Sequence, residues 1–283
     1  MKKLFLLCAY LLMIMIAPAT VLAGEPVVKT GIEVLRDRGF EGLKGKRVGL
    51  VTNPSGVDRF MNSTVDILFN APDVKLVALY GPEHGVRGDV YAGGHVTDTR
   101  DEATGLPVYS IYGATRKPTP EMLEGIDVMV YDIQDVGVRS YTFISTLGLV
   151  MEACGEKGIE VMVLDRPNPL GGNKIEGCVV EPGFFSFVSQ YKIPYVYGLT
   201  VGELAVMLNE EGLNRGQKGD QTPASCRLTV VPMEGWTRDM LYEDTGLPWV
   251  LPSPNIPSKD TPMYYAASGI CGELYGFMNI GVG

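Results

Sequence analysis

The sequence predicts an α/β fold in which a doubly wound parallel sheet is covered by helices. Short β-branched segments alternate with helical stretches, and four of them, at residues 47–51, 74–80, 128–131 and 161–164, end directly at polar side chains. Apolar runs of this kind are typical of strands that are buried on both faces of a parallel sheet. Since ligands bind at the carboxyl ends of such strands, we expect the polar residues that follow them to line one cleft.

Helix signals lie between these strands. Asn62 or Ser63 is placed to cap a helix over residues 65–69, and Thr119, followed by proline and glutamate, predicts another helix start. The apolar stretch 141–154 leads through two glycines into the strand at 161–164, which is the spacing of a β-α-β crossover. A shorter strand at residues 106–111 is expected to join the same sheet.

The amino terminus has the pattern of a secretory signal peptide at residues 1–23. Lys2 and Lys3 precede an apolar stretch, and small residues at the −3 and −1 positions predict cleavage after Ala23. The stretch is short for a membrane span, and no stop-transfer pattern follows it. We therefore expect a periplasmic or secreted protein.

Residues 27–184 form the predicted sheet domain, and a second, smaller α/β domain is expected at residues 185–283. In the second domain, Thr200 and a glutamate three residues later predict a capped helix, and residues 227–231 predict a strand. The final apolar run has no terminating signal, so we expect the second domain to be incomplete.

Charge and composition narrow the class of partner. The formal net charge is −9, and it becomes more negative when the two lysines of the signal are removed. Affinity for nucleic acid comes from neutralising phosphates with Lys and Arg, so the acidic balance argues against a nucleic-acid partner. It also disfavours adsorption to anionic lipid, and no later segment predicts stable insertion into a membrane.

Signals for a metal or cofactor are weak. Cys154, Cys178, Cys226 and Cys271 follow the signal, and both the three complete disulfide pairings that they allow and buried free thiols stay open. The sequence has no Gly-x-Gly-x-x-Gly after the first strand, no Walker loop and no Gly-x-Ser-x-Gly elbow. With two histidines and scattered acids, we predict neither a metal site nor a cofactor.

The segment Gly-Pro-Glu-His-Gly-Val-Arg-Gly at residues 81–88 is the sharpest local signal for chemistry. Its glycines permit sharp turns and close approach of a ligand. Glu83 is a candidate general acid, His84 a second proton carrier or hydrogen-bond donor, and Arg87 a clamp for a carboxylate. The alternative is an ordinary turn with solvated charges, but its position after a buried strand favours function.

The strand at residues 128–131 is followed by Asp132, Gln134, Asp135 and Arg139. Asp132 can act as a base, a nucleophile or an acceptor for hydroxyls, and Gln134 and Asp135 suit sugar hydroxyls. The structural alternative is that one of the two acids caps the next helix and Arg139 neutralises it.

The strand at residues 161–164 is followed by Asp165, Arg166 and Asn168 in a loop that two prolines make rigid. Asn168 is a candidate for presentation to a ligand, whereas Asp165 and Arg166 can simply pair with each other. Further along, Trp249 is a candidate for a cleft wall, because aromatic faces stack on sugar rings.

Four longer motifs, at residues 81–88, 131–142, 164–172 and 247–257, together resemble one bacterial family. The family was once of unknown function, and its characterised members are exo-acting β-N-acetylmuramidases of the NamZ type. The resemblance implies a Rossmann-like domain, a smaller second domain and an active site in the cleft between them. It also implies hydrolysis of terminal β-linked N-acetylmuramic acid from peptidoglycan fragments.

Matched residue by residue, the resemblance implies that Glu83 is the catalytic glutamate. It further implies that nine other positions line the cleft: His84, Arg87, Asp132, Gln134, Arg139, Asp165, Arg166, Asn168 and Asn255. One position departs from the family pattern, because Tyr197 stands where His is expected.

Our leading hypothesis is a glycosidase of cell-wall turnover that acts on a peptidoglycan-derived saccharide or muropeptide. Such enzymes commonly use two carboxyl groups, with Glu83 as the acid and Asp132 or Asp165 as the second group, unless the substrate's acetamido group replaces it. Arg87 or Arg139 would then hold the lactyl carboxylate. The alternatives are a non-catalytic envelope protein that binds muropeptides or sugars, and a metal-assisted hydrolase that uses His84 with acids.

Overall fold

The computed structural model describes residues 28–88, 99–212 and 225–275. The predicted signal peptide at residues 1–23 lies outside the described residues. Within the three described ranges, no helix has the length and apolar character needed to cross a bilayer.

Seven strands in the described residues form one sheet. In chain order they are β1 (Arg47–Thr52), β2 (Lys75–Gly81), β3 (Thr99–Arg100), β4 (Pro107–Ser110), β5 (Val128–Asp132), β6 (Glu160–Leu164) and β7 (Arg227–Val231). Their order across the sheet is β3-β4-β2-β1-β5-β6-β7, and every pair except β3 with β4 is parallel. Apart from the short β3, this is the strand order of a Rossmann fold, so the predicted Rossmann-like α/β class is confirmed.

Helices cover both faces of the sheet. They are α1 (Gly31–Asp37), α2 (Thr64–Phe69), α3 (Phe143–Lys157) and α4 (Val201–Glu211). A further helix, α5 (Thr261–Tyr275), packs through Tyr265 and Ala266 on a separate apolar cluster of loop residues, and Tyr242–Thr245 forms a 3-10 turn. Alternate residues of a strand point to opposite faces. Val130 of β5 accordingly packs in the hydrophobic cluster that contains α1 and α2, and its neighbour Met129 packs in the cluster that contains α3 and α4. Burial on both faces explains the continuous apolar runs in the sequence.

The helix caps are mostly those that the sequence predicts. The Ser63 hydroxyl accepts a hydrogen bond from the N–H of Asp66 at 3.1 Å, and Thr200 forms a capping box with Glu203. The helix predicted at Thr119 is wrong. The Thr119 hydroxyl accepts from the N–H of Met122 at 3.3 Å, as a cap would, but the chain makes only a turn. Gly125, with φ of 76°, ends the segment before a second turn can form.

The segment after residue 185 contributes to the same sheet. β7 pairs with β6 along five residues, from Glu160 with Arg227 to Leu164 with Val231, and Leu204 of α4 shares a hydrophobic cluster with Val163 of β6. The predicted division of the chain near residue 185 stays a prediction.

Three cysteines in the described residues are free thiols. Cys154 is buried, Cys226 is half-buried and Cys178 is exposed. Burial raises the pKa of Cys154 to about 12 and that of Cys226 to about 11, so both thiols stay protonated at neutral pH.

Candidate active site

Glu83 lies in a tight turn directly after β2. The N–H of Gly85 donates to the carbonyl of Pro82 at 3.0 Å, and His84 and Gly85 both have left-handed φ, 73° and 77°. A β-carbon on Gly81 would lie 3.3 Å from the Gly85 Cα, which is a tight contact, so the close return of the chain favours glycine there. A non-glycine residue in the left-handed region costs about 1–2 kcal/mol, and such strain clusters at functional sites. The residue that bears this strain is His84, next to Glu83.

A cavity of about 180 Å³ opens beside Glu83. Its walls come from the Glu83 turn, the residues that lead into α3, and the segment that leads into α5. Most of its lining side chains carry a hydroxyl, an amide or an aromatic ring, and the full set is Glu83, His84, Ser140, Tyr141, Thr142, Phe143, Ser253, Asn255, Ile256 and Tyr265. Hydroxyls and amides both donate and accept, and aromatic faces pack on apolar ring faces, so this lining suits a sugar.

The Glu83 carboxylate is half-buried and lies between two hydroxyl groups. Thr142 Oγ1 donates to Glu83 Oε2 at 3.4 Å, which is long for such a bond. Burial and the neighbouring Glu83 carboxylate raise the pKa of Tyr112 to about 12, so the Tyr112 hydroxyl keeps its proton at neutral pH. A carboxyl group held by hydroxyls beside an open cavity is well placed to exchange a proton with a ligand.

An aromatic wall faces this carboxyl group across the cavity lining. The Tyr141 ring meets the Phe143 ring at 5.0 Å and the Tyr265 ring at 5.7 Å, both nearly at right angles. The Ser140 hydroxyl lies 3.2 Å from the Tyr195 hydroxyl and 3.1 Å from the Tyr265 hydroxyl. These contacts join the start of α5 to the segment before α3, and therefore hold two walls of the cavity together.

Asp132, at the end of β5, does not line this cavity. Its side chain is fully buried, with Arg166 Nε at 2.5 Å from Oδ1 and Arg166 Nη2 at 3.0 Å from Oδ2. The Thr64 hydroxyl also donates to Oδ2, and Arg166 Nη2 donates to the carbonyl of Val57 at 2.8 Å. Burial alone would lower the pKa of Arg166, but Asp132 raises it overall, so the guanidinium stays charged. Asp132 ends β5, which lies next to β1 where the strand order reverses, so this ion pair lies at the switch point of the sheet.

Asp165, at the end of β6, is also buried and engaged. Its Oδ1 accepts from the N–H groups of Gly202 at 2.8 Å and Arg166 at 3.0 Å, and its Oδ2 accepts from the Thr200 hydroxyl at 2.9 Å. Burial raises the pKa of Asp165 to about 6, and these three hydrogen bonds oppose the shift. Asp165 thus ties the first turn of α4 to the end of β6, in the manner of a cap.

Gln134 and Asn168 also hold the loops of this edge. Gln134 Nε2 donates to the carbonyl oxygens of Asp135 at 2.8 Å and Pro167 at 2.7 Å. Asn168 Nδ2 donates to the carbonyl of Leu199 at 2.9 Å, and its Oδ1 accepts from the N–H of the residue two positions further on. Both side chains are buried, so neither amide group is presented to the cavity.

The two arginines that were candidates for a carboxylate clamp are already engaged. Arg87 forms ion pairs with Asp101 at 2.8 Å and Asp66 at 3.1 Å, and these contacts raise its pKa. Arg139 Nη1 donates to the carbonyl oxygens of Cys178 at 2.7 Å and Ile193 at 2.5 Å. Burial lowers the pKa of Arg139, which is half-buried against the Tyr195 ring.

Tyr197, at the position that departs from the family pattern, pairs with Asp135. Its hydroxyl donates to Asp135 Oδ1, which also accepts from the N–H of Gly137 at 2.9 Å. Asp135 Oδ2 has no hydrogen-bond partner although it is buried. Burial raises the pKa of Asp135 to about 6, with the hydrogen bonds from Tyr197 and the backbone acting against it. An unpartnered buried oxygen is a natural position for the proton.

Three of the ten predicted site residues therefore line the cavity together: Glu83, His84 and Asn255. The structure places the other seven outside the lining of this cavity: Arg87, Asp132, Gln134, Arg139, Asp165, Arg166 and Asn168. Each of them makes hydrogen bonds within the protein, although Gln134 Oε1 and Arg139 Nε are buried without a partner. The sequence prediction did not single out Ser253, although it lies in the motif at residues 247–257, and it missed Tyr265 as a lining residue and Tyr112 beside Glu83, which none of the four motifs contains. Trp249 braces its own loop, because Nε1 donates to the carbonyl of Ile256 at 3.1 Å.

In residues 28–88, 99–212 and 225–275, no group of three or more His, Cys, Asp or Glu side chains is arranged to hold a metal ion.

The fold and this cavity define a Rossmann-like α/β protein with a carboxyl group at the ligand-binding edge of its sheet. Residues 48–260 match the family model described as exo-β-N-acetylmuramidase NamZ, N-terminal. The chain is 52% identical over 248 residues to the peptidoglycan β-N-acetylmuramidase NamZ of Bacillus subtilis, which covers 88% of this chain and 58% of that protein. The chain belongs to the NamZ family.

Two solved structures share the fold. A DUF1343 family protein of Bacteroides fragilis is 59% identical with a TM-score of 0.81, over 88% of this chain and 61% of that chain. A second DUF1343 family protein of the same organism is 31% identical with a TM-score of 0.69, over 84% of this chain and 60% of that one. The chain thus spans about three fifths of the length of each of these relatives.

Proposed function

We propose that this chain carries the catalytic domain of an exo-acting β-N-acetylmuramidase. The enzyme would release terminal β-linked N-acetylmuramic acid from the non-reducing end of peptidoglycan fragments. The observation that carries the proposal is the half-buried Glu83 carboxyl beside a cavity lined by hydroxyl, amide and aromatic side chains. The 52% identity to a peptidoglycan β-N-acetylmuramidase supports the choice of substrate.

In this proposal Glu83 is the general acid. Its carboxylic acid gives a proton to the glycosidic oxygen while the bond from that oxygen to the anomeric carbon breaks. The Thr142 and Tyr112 hydroxyls keep the carboxyl group in place, and the aromatic wall packs against the sugar ring. Asn255 and Ser253 lie across the cavity lining and are suited to bind sugar hydroxyls or the acetamido group.

The second catalytic role falls to the substrate's acetamido group in our proposal. The buried contacts of Asp132 and Asp165 support this choice, because an engaged carboxylate cannot reach an anomeric carbon. The acetamido oxygen attacks the anomeric carbon as the leaving oxygen takes the Glu83 proton. A water molecule then attacks the same carbon and opens the cyclic intermediate, while the Glu83 carboxylate takes a proton from that water. Two successive inversions give net retention, so magnetic resonance should detect the β-anomer of the sugar first. First release of the α-anomer would contradict the assisted route.

We also propose that the enzyme works in the periplasm or outside the cell, in cell-wall turnover. The signal pattern at residues 1–23 and the nature of the substrate support this location. The measurement is the amino-terminal sequence of the protein recovered from the host's periplasm or medium. A mature protein that starts at Gly24 is expected, and an uncleaved protein confined to the cytoplasm would contradict the proposal.

The test of the enzymatic role uses a disaccharide that carries N-acetylmuramic acid at its non-reducing end. We expect the wild-type chain to release the free sugar and Glu83→Gln to lower kcat by about 10²–10⁴-fold, because the amide cannot donate a carboxylic proton. Glu41→Gln is the matched control, since Glu41 is an exposed acid between α1 and β1. It is expected to turn over the substrate like the wild type.

Calorimetry tests the alternative that the protein binds sugars without cleaving them. Calorimetry with the same disaccharide would show saturable heat and intact ligand if the protein only binds muropeptides or sugars. Full turnover by Glu83→Gln would remove Glu83 from the role of acid and leave the family assignment untouched.

A further inference from the structure

The substrate that we propose carries a carboxylate, and both guanidinium groups predicted to hold it already contact other groups of the protein. Arg87 is paired with Asp66 and Asp101, and Arg139 donates to two backbone carbonyls. A cation on this edge of the sheet whose N–H groups make no such contacts is therefore the better candidate for recognising the acid group.

Arg116 is exposed and its guanidinium is stacked on two aromatic rings. Its Cζ lies 4.1 Å from the centroid of the Phe187 ring and 5.9 Å from that of the Tyr112 ring, and the two rings are 6.3 Å apart. In the described part of the chain, Arg116 makes no ion pair and no hydrogen bond with another residue. Stacking fixes the plane of the guanidinium but leaves its edge N–H groups available, which is the arrangement that binds a carboxylate with two parallel hydrogen bonds.

Two separate contacts place this stack at the rim of the Glu83 cavity. The Tyr112 hydroxyl interacts with the Glu83 carboxylate itself. The carbonyl of Phe187 accepts from the Ser145 hydroxyl at 2.6 Å, and Ser145 lies in the first turn of α3, directly after the lining residues Thr142 and Phe143. The guanidinium is thus one aromatic ring away from the proposed acid.

We propose that Arg116 is the specificity-determining residue that binds the carboxylate of the substrate at this rim. The assignment rests on the proposed function, which supplies a sugar with a lactyl carboxylate as the ligand. A fixed cation at the cavity rim also draws an anionic sugar toward a protein whose net charge is −9. Phe187 and Tyr112 act with it by holding the guanidinium plane.

The experiment compares two substrates and three variants of the full chain. One substrate is the disaccharide with terminal N-acetylmuramic acid, and the other is the same disaccharide with the lactyl carboxylate converted to a carboxamide. Arg116→Gln should lower kcat/KM for the acid by about tenfold, mainly through KM, and leave the carboxamide unchanged, as expected for loss of a hydrogen-bonded charge pair near the surface. For Arg116→Lys, kcat/KM for the acid should lie between the values of the wild type and of Arg116→Gln, because lysine keeps the charge but lacks the planar fork of N–H donors.

Arg38→Gln is the matched control, since Arg38 is an exposed arginine at the end of α1 and its removal changes the net charge equally. It should behave like the wild type on both substrates. An equal loss on the acid and the carboxamide, or no loss on either, would overturn the assignment of Arg116 while turnover by the wild type keeps the proposed function.

If the wild type cleaves neither substrate, the proposed function fails and equilibrium binding decides the role of Arg116. Free N-acetylmuramic acid should then bind the wild type about tenfold more tightly than Arg116→Gln, whereas N-acetylglucosamine should bind both alike. Equal affinity of the two proteins for N-acetylmuramic acid would overturn the assignment.

Discussion

The carboxylates at the ends of β2, β5 and β6 share one edge of the sheet, but they differ in what surrounds their oxygens. Asp132 and Asp165 are buried, and every oxygen accepts hydrogen bonds from the protein. Glu83 is half-buried, with a long hydroxyl contact and an adjoining cavity. Position after a strand therefore predicts where a polar residue lies, whereas the surroundings of its side chain, complete burial or an adjoining cavity, decide whether it supports the edge or can meet a ligand.

The largest expected effect comes from breaking the ion pair between Arg166 and Asp132, which is one of the two buried carboxylates in this comparison. Arg166→Met leaves Asp132 as an unpaired buried carboxylate, so the free energy of unfolding in urea should fall by about 3–5 kcal/mol. Arg116→Gln, at an exposed arginine, should change it by less than about 0.5 kcal/mol. The double variant Arg166→Met with Asp132→Leu should recover much of the loss. Wild-type stability of the single variant would show that the pair does not hold the edge.

Asp135 differs from both kinds of carboxylate in this comparison. It is buried like Asp132 and Asp165, but only one of its oxygens accepts hydrogen bonds and the other has no partner. Its pKa in the folded protein is raised to about 6, chiefly by burial. A carboxyl group whose pKa is raised by folding contributes stability below its ordinary pKa, and this contribution is lost as the pH rises through the folded value. The window is therefore about pH 4 to 6, and the loss from this group reaches at most about 3 kcal/mol.

Asp135→Asn tests this position, because asparagine stays neutral throughout the window. Between about pH 4 and 7, the free energy of unfolding of the wild type should fall relative to that of the variant, by up to about 3 kcal/mol. Asp165, whose pKa is raised in the same direction, contributes equally to both proteins and cancels in the difference. Parallel pH profiles for the two proteins would show that Asp135 is ionised across the whole window.

The sheet and its ligand edge are predictable from the sequence because their signals are local. β-branched runs mark the strands, and the capping box at Thr200 and the N-cap at Ser63 follow rules that span a few residues. The helix predicted at Thr119 does not form, and the reason is also local. The capping contact is present, but a helix needs a continuing apolar face after its cap, and Gly125 interrupts it.

Whether a polar residue supports the fold or lines the cavity depends on partners that are distant in the sequence. Asp132 pairs with Arg166 across 34 positions and with Thr64 across 68, and Tyr197 reaches Asp135 across 62. A carboxylate looks the same in the sequence whether or not such a partner exists. Tyr265, which closes the cavity from α5, escaped the sequence prediction because its role depends on how α5 packs against Ser140.

The smallest expected effects come from a matched pair of threonines, each of which donates its hydroxyl to one of the contrasted carboxylates. Thr200 donates to Asp165 at 2.9 Å in a buried position, and Thr142 donates to Glu83 at 3.4 Å beside the cavity. Thr200→Val should lower the free energy of unfolding by about 1–2 kcal/mol, because it removes both that bond and the cap of α4. Thr142→Val should change it by less than about 0.5 kcal/mol and lower kcat by no more than about threefold, since the Tyr112 hydroxyl remains beside Glu83.

Urea unfolding of both variants and turnover of the muramic acid disaccharide by both make the comparison direct, because the substitution is the same and only the surroundings differ. A stability loss at Thr142 as large as that at Thr200 would mean that the Glu83 turn belongs to the structural part of the edge. A hundredfold loss of kcat in Thr142→Val with unchanged stability would mean instead that Glu83 depends on one fixed hydroxyl. In that case the acid beside the cavity would depend on its protein contacts as much as a buried cap does, and the distinction between buried carboxylates and a carboxylate beside a cavity would not hold.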